Sequence, residues 1–397
     1  MILSKKSFYF ILFSVLFYNS ISMAVYTYLS RYLLFLGANY FAIQMIVTIF
    51  PLTSVIFPPI LGKISDSIQK RLPFVLIGQI GIVLVLYLLT LTKDLIIISV
   101  IIFIWGFFSS CLGLNSVLYA EIVENDQKLI SYYSAMVSFG WFLGALYSGI
   151  FVEMIGIAYL FYLLLFFSLF NLILIFFIQE PRDLILSRYE NGLSGALQFI
   201  ATSKNSDSED IESPISQSIY FSLFFRNFGI RPILSVLAII MAFHLSSDTE
   251  IGILVGINPL IQFFIMISIG NIINKKNIKA FMIIGYILNC FVIIGYIISN
   301  SFFSFLIFQI LISLAFSLFW VPTQVYIAQN TTPENKGKYM SFANTSFFLG
   351  SLMGGLFFSG LISIYQDYYI AMYFMIIFPL LSTLIILFFF RIKFEEK

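Results

Sequence analysis

Phe50-Pro51-Leu52 leads through an apolar stretch to Gly62-Lys63-Ile64-Ser65-Asp66 and on to Lys70-Arg71, and the phrase returns 208 residues later, from Pro51 to Pro259. The second copy runs from Asn258-Pro259-Leu260 to Gly270-Asn271-Ile272-Ile273-Asn274, with Lys279 where Arg71 would fall. At the same spacing Asn19 falls on Asn227, Ile43 on Ile251 and Ala120 on Ala328. With two residues added in the loop after the tenth apolar stretch, Ser131 falls on Ser341, Gly140 on Gly350 and Gly144 on Gly354. A duplicated set of helices accounts for this pattern.

The solvent of those helices follows from composition. Of 397 residues 60% are hydrophobic and 10% charged, with a mean hydropathy of +1.00. That leaves too little polar surface to cover a water-soluble globule. Twelve stretches approach the ~20 residues that cross a bilayer: 8–31, 40–61, 72–92, 95–119, 131–152, 156–178, 217–241, 250–270, 279–299, 301–327, 340–363 and 369–390. Lys5 and Lys6 precede the first, and no small-residue cleavage site follows it, so it reads as an uncleaved helix. Cys111 and Cys290 both lie in apolar runs and imply no disulfide framework.

With the N-terminus inside, 17 of the 21 lysines and arginines fall on cytoplasmic segments, which predicts a multi-pass plasma-membrane protein with both termini cytoplasmic. The expected division is a six-helix bundle at 1–179, a cytoplasmic linker at 180–216 and a second six-helix bundle at 217–397. The second half of the linker is rich in serine and acid and reads as a solvated tether. Its earlier part, 184–200, has the makings of a short helix on the membrane surface. Each half alone would expose its inward face, so the halves should pack around a shared cleft. A bilayer and a small-molecule substrate are the expected partners of a monomer; the net charge of +2 gives no sign of nucleic acid.

Gly62, Ser65, Asp66, Lys70 and Arg71 in the second-to-third loop resemble the loop motif of the major facilitator superfamily of secondary transporters. Ala120-Glu121 with Lys128, and Pro333-Glu334-Asn335-Lys336-Gly337-Lys338, are similar to that family's later cytoplasmic loops. The resemblance implies an all-α membrane fold of twelve transmembrane helices in two pseudo-symmetric six-helix bundles. It also implies that helices one, four, seven and ten line a central cavity.

The loop has a physical reading of its own. Gly62 would allow a tight turn and the close approach of a neighbouring helix. Lys63, Lys70 and Arg71 oppose Glu121, Glu124 and Asp126, an arrangement suited to an electrostatic latch; the alternative is that the basic residues anchor topology. Asn274 and Gln329 replace Asp66 and Glu121 in the second half, so the latch should be weak there.

Polar residues inside spans normally face protein or water. Asn19, Ser22, Tyr26 and Ser30 share a face of the first helix; Trp105, Ser109, Ser116 and Tyr119, with Asn115 nearby, a face of the fourth; Gln309, Ser313, Trp320 and Gln324 a face of the tenth. The expected cavity set is Asn19, Tyr26, Trp105, Asn115, Arg226, Asn227, Gln309, Trp320 and Gln324, against the alternative of hydrogen bonds between packed helices. Arg226 must lie inside, because a helix starting at Arg231 would leave only about 12 residues before His244; starting near Gln217, it carries Arg226 some 13 Å in at about 1.5 Å per residue. It either binds an anionic or hydroxyl-rich substrate or meets a carbonyl or snorkels. Arg31, nearer the outer interface, is expected to snorkel.

Acids are confined to span ends: Glu121, Glu153, Asp248 and Glu250. Proton coupling would run through these or His244. Glycines 140, 144, 350, 354 and 355 suggest close contact across the halves. Gly140 and Gly144 keep the fifth-helix glycine spacing of the family's exporters without the proline that ends their motif, which tilts the reading towards efflux.

The expectation is a secondary transporter of a small organic solute, with a sensor or scaffold that binds without translocating as the alternative. An enzyme is not expected from one histidine and no H-E-x-x-H or G-x-S-x-G motif, and neither metal nor cofactor is implied. The lack of a Walker-type phosphate loop argues against ATP driving within the chain.

Overall fold

The computed structural model describes residues 2–123, 127–181, 185–186, 215–274, 276–331 and 333–390. Among them the chain is all helical, and twelve helices are long and apolar enough to cross a membrane. We number them α1 (Ile2–Phe35), α2 (Tyr40–Val47 and Ile49–Ile68), α3 (Leu72–Leu91), α4 (Leu95–Ile122), α5 (Gln127–Ile155) and α6 (Leu160–Phe176) in the first half. The second half holds α7 (Gln217–Ala242), α8 (Asp248–Ile272), α9 (Ile278–Ile298), α10 (Phe302–Gln329), α11 (Pro333–Tyr365) and α12 (Tyr368–Met375 and Ile377–Phe389). All twelve expected spans are present. Most of the linker lies outside the described residues, including all but 185–186 of the short helix expected at 184–200.

Helices are the answer lipid imposes, since an unpaired backbone N–H or C=O in hydrocarbon costs several kcal/mol. The two interruptions have one cause. Pro51 has no N–H to offer Val47, and Pro379 none to offer Met375; α2 and α12 break at Thr48 and Ile376, three residues before the proline. At the α2 break the Thr48 hydroxyl satisfies the Gln44 carbonyl at 2.7 Å.

The duplication is visible in the packing. A Cβ on Gly140 would stand 2.6 Å from the Leu16 carbonyl oxygen, and one on Gly350 would stand 2.1 Å from that of Phe224. Gly144 and Gly354 likewise press on the carbonyls of Ser20 and Phe228, each at 2.1 Å. Leu16 and Ser20 are the repeat equivalents of Phe224 and Phe228. These four glycines therefore join α5 to α1 and α11 to α7 within each half, not across the halves as expected; Gly355 alone of the five makes a cross-half contact, to Thr48. The reason is that α1 and α7 carry the central face, and only a glycine lets the fifth helix of each half lie directly on their backbones.

Polar residues tie other helices inside each half. Gln79 donates to the Ser168 carbonyl at 2.8 Å and accepts from Asn171 at 2.9 Å, fixing α3 to α6. Arg226 does the same in the second half. Its guanidinium is 1% exposed, donates to Asn289 on α9 at 3.0 Å and to Asn227 at 2.9 Å, and lies 4.6 Å from the Phe319 ring on α10. Its partners are two side-chain amide oxygens and an aromatic face, neither the backbone carbonyl nor the snorkelling route expected as the structural alternative.

The halves meet along two seams, α5 on α8 and α2 on α11, with α1 against α7 between them. The polar and glycine contacts that cross between described residues lie from mid-height to the end opposite the termini, the far end. At the termini end α4 and α5 have, among the described residues, no substantial packing against α10 and α11.

Gly144→Leu and Gly354→Leu should each destabilise the purified protein by roughly 1–3 kcal/mol or more, as overpacking against a backbone does. Gly62→Leu, where a Cβ meets nothing within 4 Å, should leave thermal unfolding unchanged. Arg226→Ala should cost about 2–5 kcal/mol, from the void and the amides left unpaired, read as a lowered Tm in detergent.

Candidate functional site

At mid-height the halves enclose a cavity of about 370 Å³. Its walls come from equivalent positions of the repeat: Met23 and Arg231, Tyr26 and Leu234, Thr27 and Ser235, Phe50 and Asn258, Pro51 and Pro259, Ser54 and Gln262 all line it. The frame is symmetric and the chemistry is not. Arg231 is the one charged residue among the described lining, and its equivalent is Met23.

Of the expected set, Asn19, Tyr26, Trp105 and Gln309 line the cavity. Asn19 accepts from the Trp141 indole N–H at 3.0 Å and back-bonds to the Val15 carbonyl at 2.8 Å. Asn227 repeats that back-bond, to Leu223 at 2.8 Å, but its side chain serves Arg226 away from the cavity. Arg226, Asn227, Asn115, Trp320 and Gln324 are not in the wall. Arg226 is covered by Phe316 and Phe319 of α10; Asn115 is 3% exposed; Trp320 packs among Phe316 and Phe347. No contact between described residues accounts for Gln324.

Sequence reading missed Tyr18, Gln44, Trp141, Arg231, Ser235, Asn258 and Gln262. Tyr18 shares a 2.5 Å hydrogen bond with Ser109 on α4. Gln44 reaches Ser235 across the halves at 3.5 Å. Arg231 has its guanidinium 5.4 Å from the Phe347 ring and 5.9 Å from that of Tyr26, one ring from each half. Among the described residues it has neither a hydrogen-bond partner nor a carboxylate.

The far end is closed by two unlike lids. At the α5–α8 seam Arg31 pairs with Asp248, and the Tyr28 hydroxyl donates to the Asp248 carbonyl at 2.8 Å. Arg31 therefore bonds across the halves instead of snorkelling. Glu153, at the end of α5, accepts from the Ser247 hydroxyl at 2.5 Å and the Thr249 N–H at 2.8 Å. It caps the N-terminus of α8 from the other half, where exposed N–H groups and the helix dipole favour an anion. The equivalent of Asp248 is Tyr40, and at the α2–α11 seam its ring lies 4.5 Å from that of Tyr368 and 6.4 Å from that of Phe243. His244 bonds to Tyr369 at 2.8 Å within the second half.

At the termini end Gly62 lies inside α2 with open space beside it; the chain turns at Gln69, whose φ is 60°. Gly62 thus makes neither the turn nor the close contact expected of it in this conformation. Arg71 is 3.7 Å from Glu121 and donates to the Ser65 hydroxyl, while the Glu180 carboxylate accepts from the Arg71 and Leu72 N–H groups at 3.1 Å each. All of these bonds stay in the first half and fasten the start of α3 to the ends of α2, α4 and α6. Lys279, in the equivalent place, donates to the Leu387 and Phe390 carbonyls at 2.9 Å each and fastens α9 to α12. Lys63 and Lys70 are exposed. Glu124 and Asp126, and the side chains of Asp66 and Lys128, lie outside the described residues.

The chain matches the family model of the Major Facilitator Superfamily over residues 8–206 and 219–397. Among solved structures it is similar to the nucleoside transporter NupG, at 13% identity over 99% of this chain and 100% of that one, with a TM-score of 0.77. The POT family transporter PepTSo superposes with a TM-score of 0.78 at 14% identity, over 96% of this chain and 97% of that one. The human organic anion transporter MFSD10 does so with a TM-score of 0.65 at 16% identity, over 96% and 99%. No curated protein sequence matches. The duplicated helices, the shared cavity and the family match have one meaning: this chain belongs to the Major Facilitator Superfamily.

Proposed function

We propose that the protein is a secondary transporter that moves a small organic solute by alternating access, the bundles 1–179 and 217–397 rocking about the cavity and the linker 180–216 tethering them. The observation that carries this reading is a cavity walled by equivalent positions of both halves, bonded shut at one end and without cross-half bonds between described residues at the other. With the termini in the cytoplasm of a plasma-membrane protein, this is the inward-facing form. Transporters of the same fold serve nucleosides, organic anions and peptides, so the chemistry of the solute must come from the cavity.

Direction and coupling have separate supports. The exporter-like spacing of Gly140 and Gly144 supports efflux. No carboxylate lines the described cavity, so a proton gradient would act on Glu153 and Asp248 at the far lid, and a solute that moves with protons would do so by loosening that lid.

Alternating access requires each end to close in turn, and the far end is the one bonded across the halves here. Arg31→Gln and Asp248→Asn each remove the ion pair that holds the far lid and should raise, several-fold, the reactivity of a cysteine placed at Thr27 towards an impermeant thiol reagent added outside. Gly62→Leu should fill the space that α11 needs when the termini end closes, and so abolish flux in a protein that unfolds at the wild-type temperature. Equal labelling in both gate variants and unchanged flux in Gly62→Leu would count against rocking.

The direct test is uptake and counterflow in proteoliposomes with candidate solutes, with and without an imposed pH gradient. Flux of any solute above protein-free vesicles is expected, steeper with the gradient. Saturable binding with no flux in either direction would make the protein a sensor or scaffold built on a transporter frame.

A further inference from the structure

Within the transporter reading, on which this inference rests, the cavity also says what chemistry its solute carries. We propose that it takes a small organic acid, a carboxylate or similar oxyanion on an apolar body, and that Arg231 is the residue that anchors it. Arg231 stands at mid-membrane height, half buried, with no carboxylate in the described lining and no hydrogen-bond partner among the described residues. Such a charge in low-dielectric surroundings is stabilised by a counter-ion more than by anything else available. Arg226, five residues earlier, shows what a finished arginine looks like in this protein, with two amide oxygens and a ring around it.

The geometry of Arg231 suits ligand capture. Rings of Tyr26 and Phe347 lie against the guanidinium, one from each half, and leave its hydrogen-bonding donors for a planar anion that can accept two of them at once. Lysine, a point charge without the fork, would hold the anion less well. Among the other lining residues, Gln44 and Gln309 are each 1% exposed, and each has a buried amide oxygen without a hydrogen-bond partner. Phe50, Trp105, Trp141 and Phe348 supply apolar wall to cover a ring or chain. At about 370 Å³ the volume falls near the lower end of ligand pockets, roughly 300–1,000 Å³, which fits a solute of modest size.

The cavity contains its own reporter, since two of the chain's three tryptophans, Trp105 and Trp141, line it. Purified full-length protein in nanodiscs is titrated with benzoate, cinnamate and hexanoate, each beside its neutral amide, following tryptophan fluorescence and the thermal unfolding midpoint. At least one acid is expected to give a saturable change with an affinity about tenfold or more above its amide. That preference should vanish in Arg231→Gln, survive in part in Arg231→Lys, and be read only in variants whose ligand-free unfolding midpoint matches wild type. Acids and amides that behave alike in the wild-type protein, whether both bind or neither does, would overturn the proposal without any variant being needed. So would an acid preference that persists in Arg231→Gln. Counterflow of the same acids separates this inference from the one beneath it: acid-selective binding without flux defeats the transporter reading and keeps the anchor, while flux of a neutral solute with no acid preference does the reverse.

Discussion

The close contact of α5 with α8 is the constraint on which the far side of the molecule depends. A Cβ on Gly149 would lie 2.6 Å from the Asp248 carbonyl oxygen and 2.9 Å from the Gly252 Cα, so two backbones touch there with no side chain between them. In lipid, where helices gain nothing from hydrophobic exclusion, such contact and the hydrogen bonds beside it are what hold one helix to another. It sets Asp248 within reach of Tyr28 and Arg31, and it delivers the α8 N-terminus to Glu153. Moving α8 outward by the width of one methyl group would loosen all of these bonds together.

The repeat supplies a symmetric frame on which unlike chemistry is placed. Asn19 and Asn227 keep the same bond to the carbonyl four residues back, yet one presents its amide oxygen to an indole in the cavity wall and the other to a buried guanidinium. Arg71 and Lys279 both fasten the start of a third helix to the end of a sixth, one beside a carboxylate that binds backbone N–H groups, the other through bare carbonyls. One far lid is ionic and its counterpart aromatic. Geometry is conserved between the halves where helices must pack, and chemistry diverges where a solute or a gate must be addressed.

How much of this the sequence disclosed follows from which physical signals it contains. Spans are legible because twenty apolar residues in a row have few other uses, and the halves are legible because Pro51 and Pro259, Gly140 and Gly350 recur in register. The polar stripe on α1 found Asn19 and Tyr26, that on α4 found Trp105, and that on α10 found Gln309. Arg231 was hidden by Arg226: the two lie about 140° apart at 100° per residue, and which of them meets the cavity is set by the rotation of α7 against α10. Two local signals pointed the right way. Ser235, one turn beyond Arg231, extends a polar stripe along α7, and Asn289, an isolated amide in an apolar α9, is the partner Arg226 required. The glycine partners were not legible, because a glycine announces a close approach without naming the helix that makes it.

Arg231 has one further consequence, and it is electrical. Without a solute it is a net positive charge at the seam between the halves; with a bound monoanion the seam is neutral. In the proposed cycle, when water access passes from one face of the membrane to the other, the protein loaded with an anion carries almost no charge through the field, and the empty one carries most of an elementary charge. A full crossing is worth about 2.3 kcal/mol per 100 mV. Membrane voltage would therefore act on the return of the empty protein and leave the solute-bearing step nearly untouched.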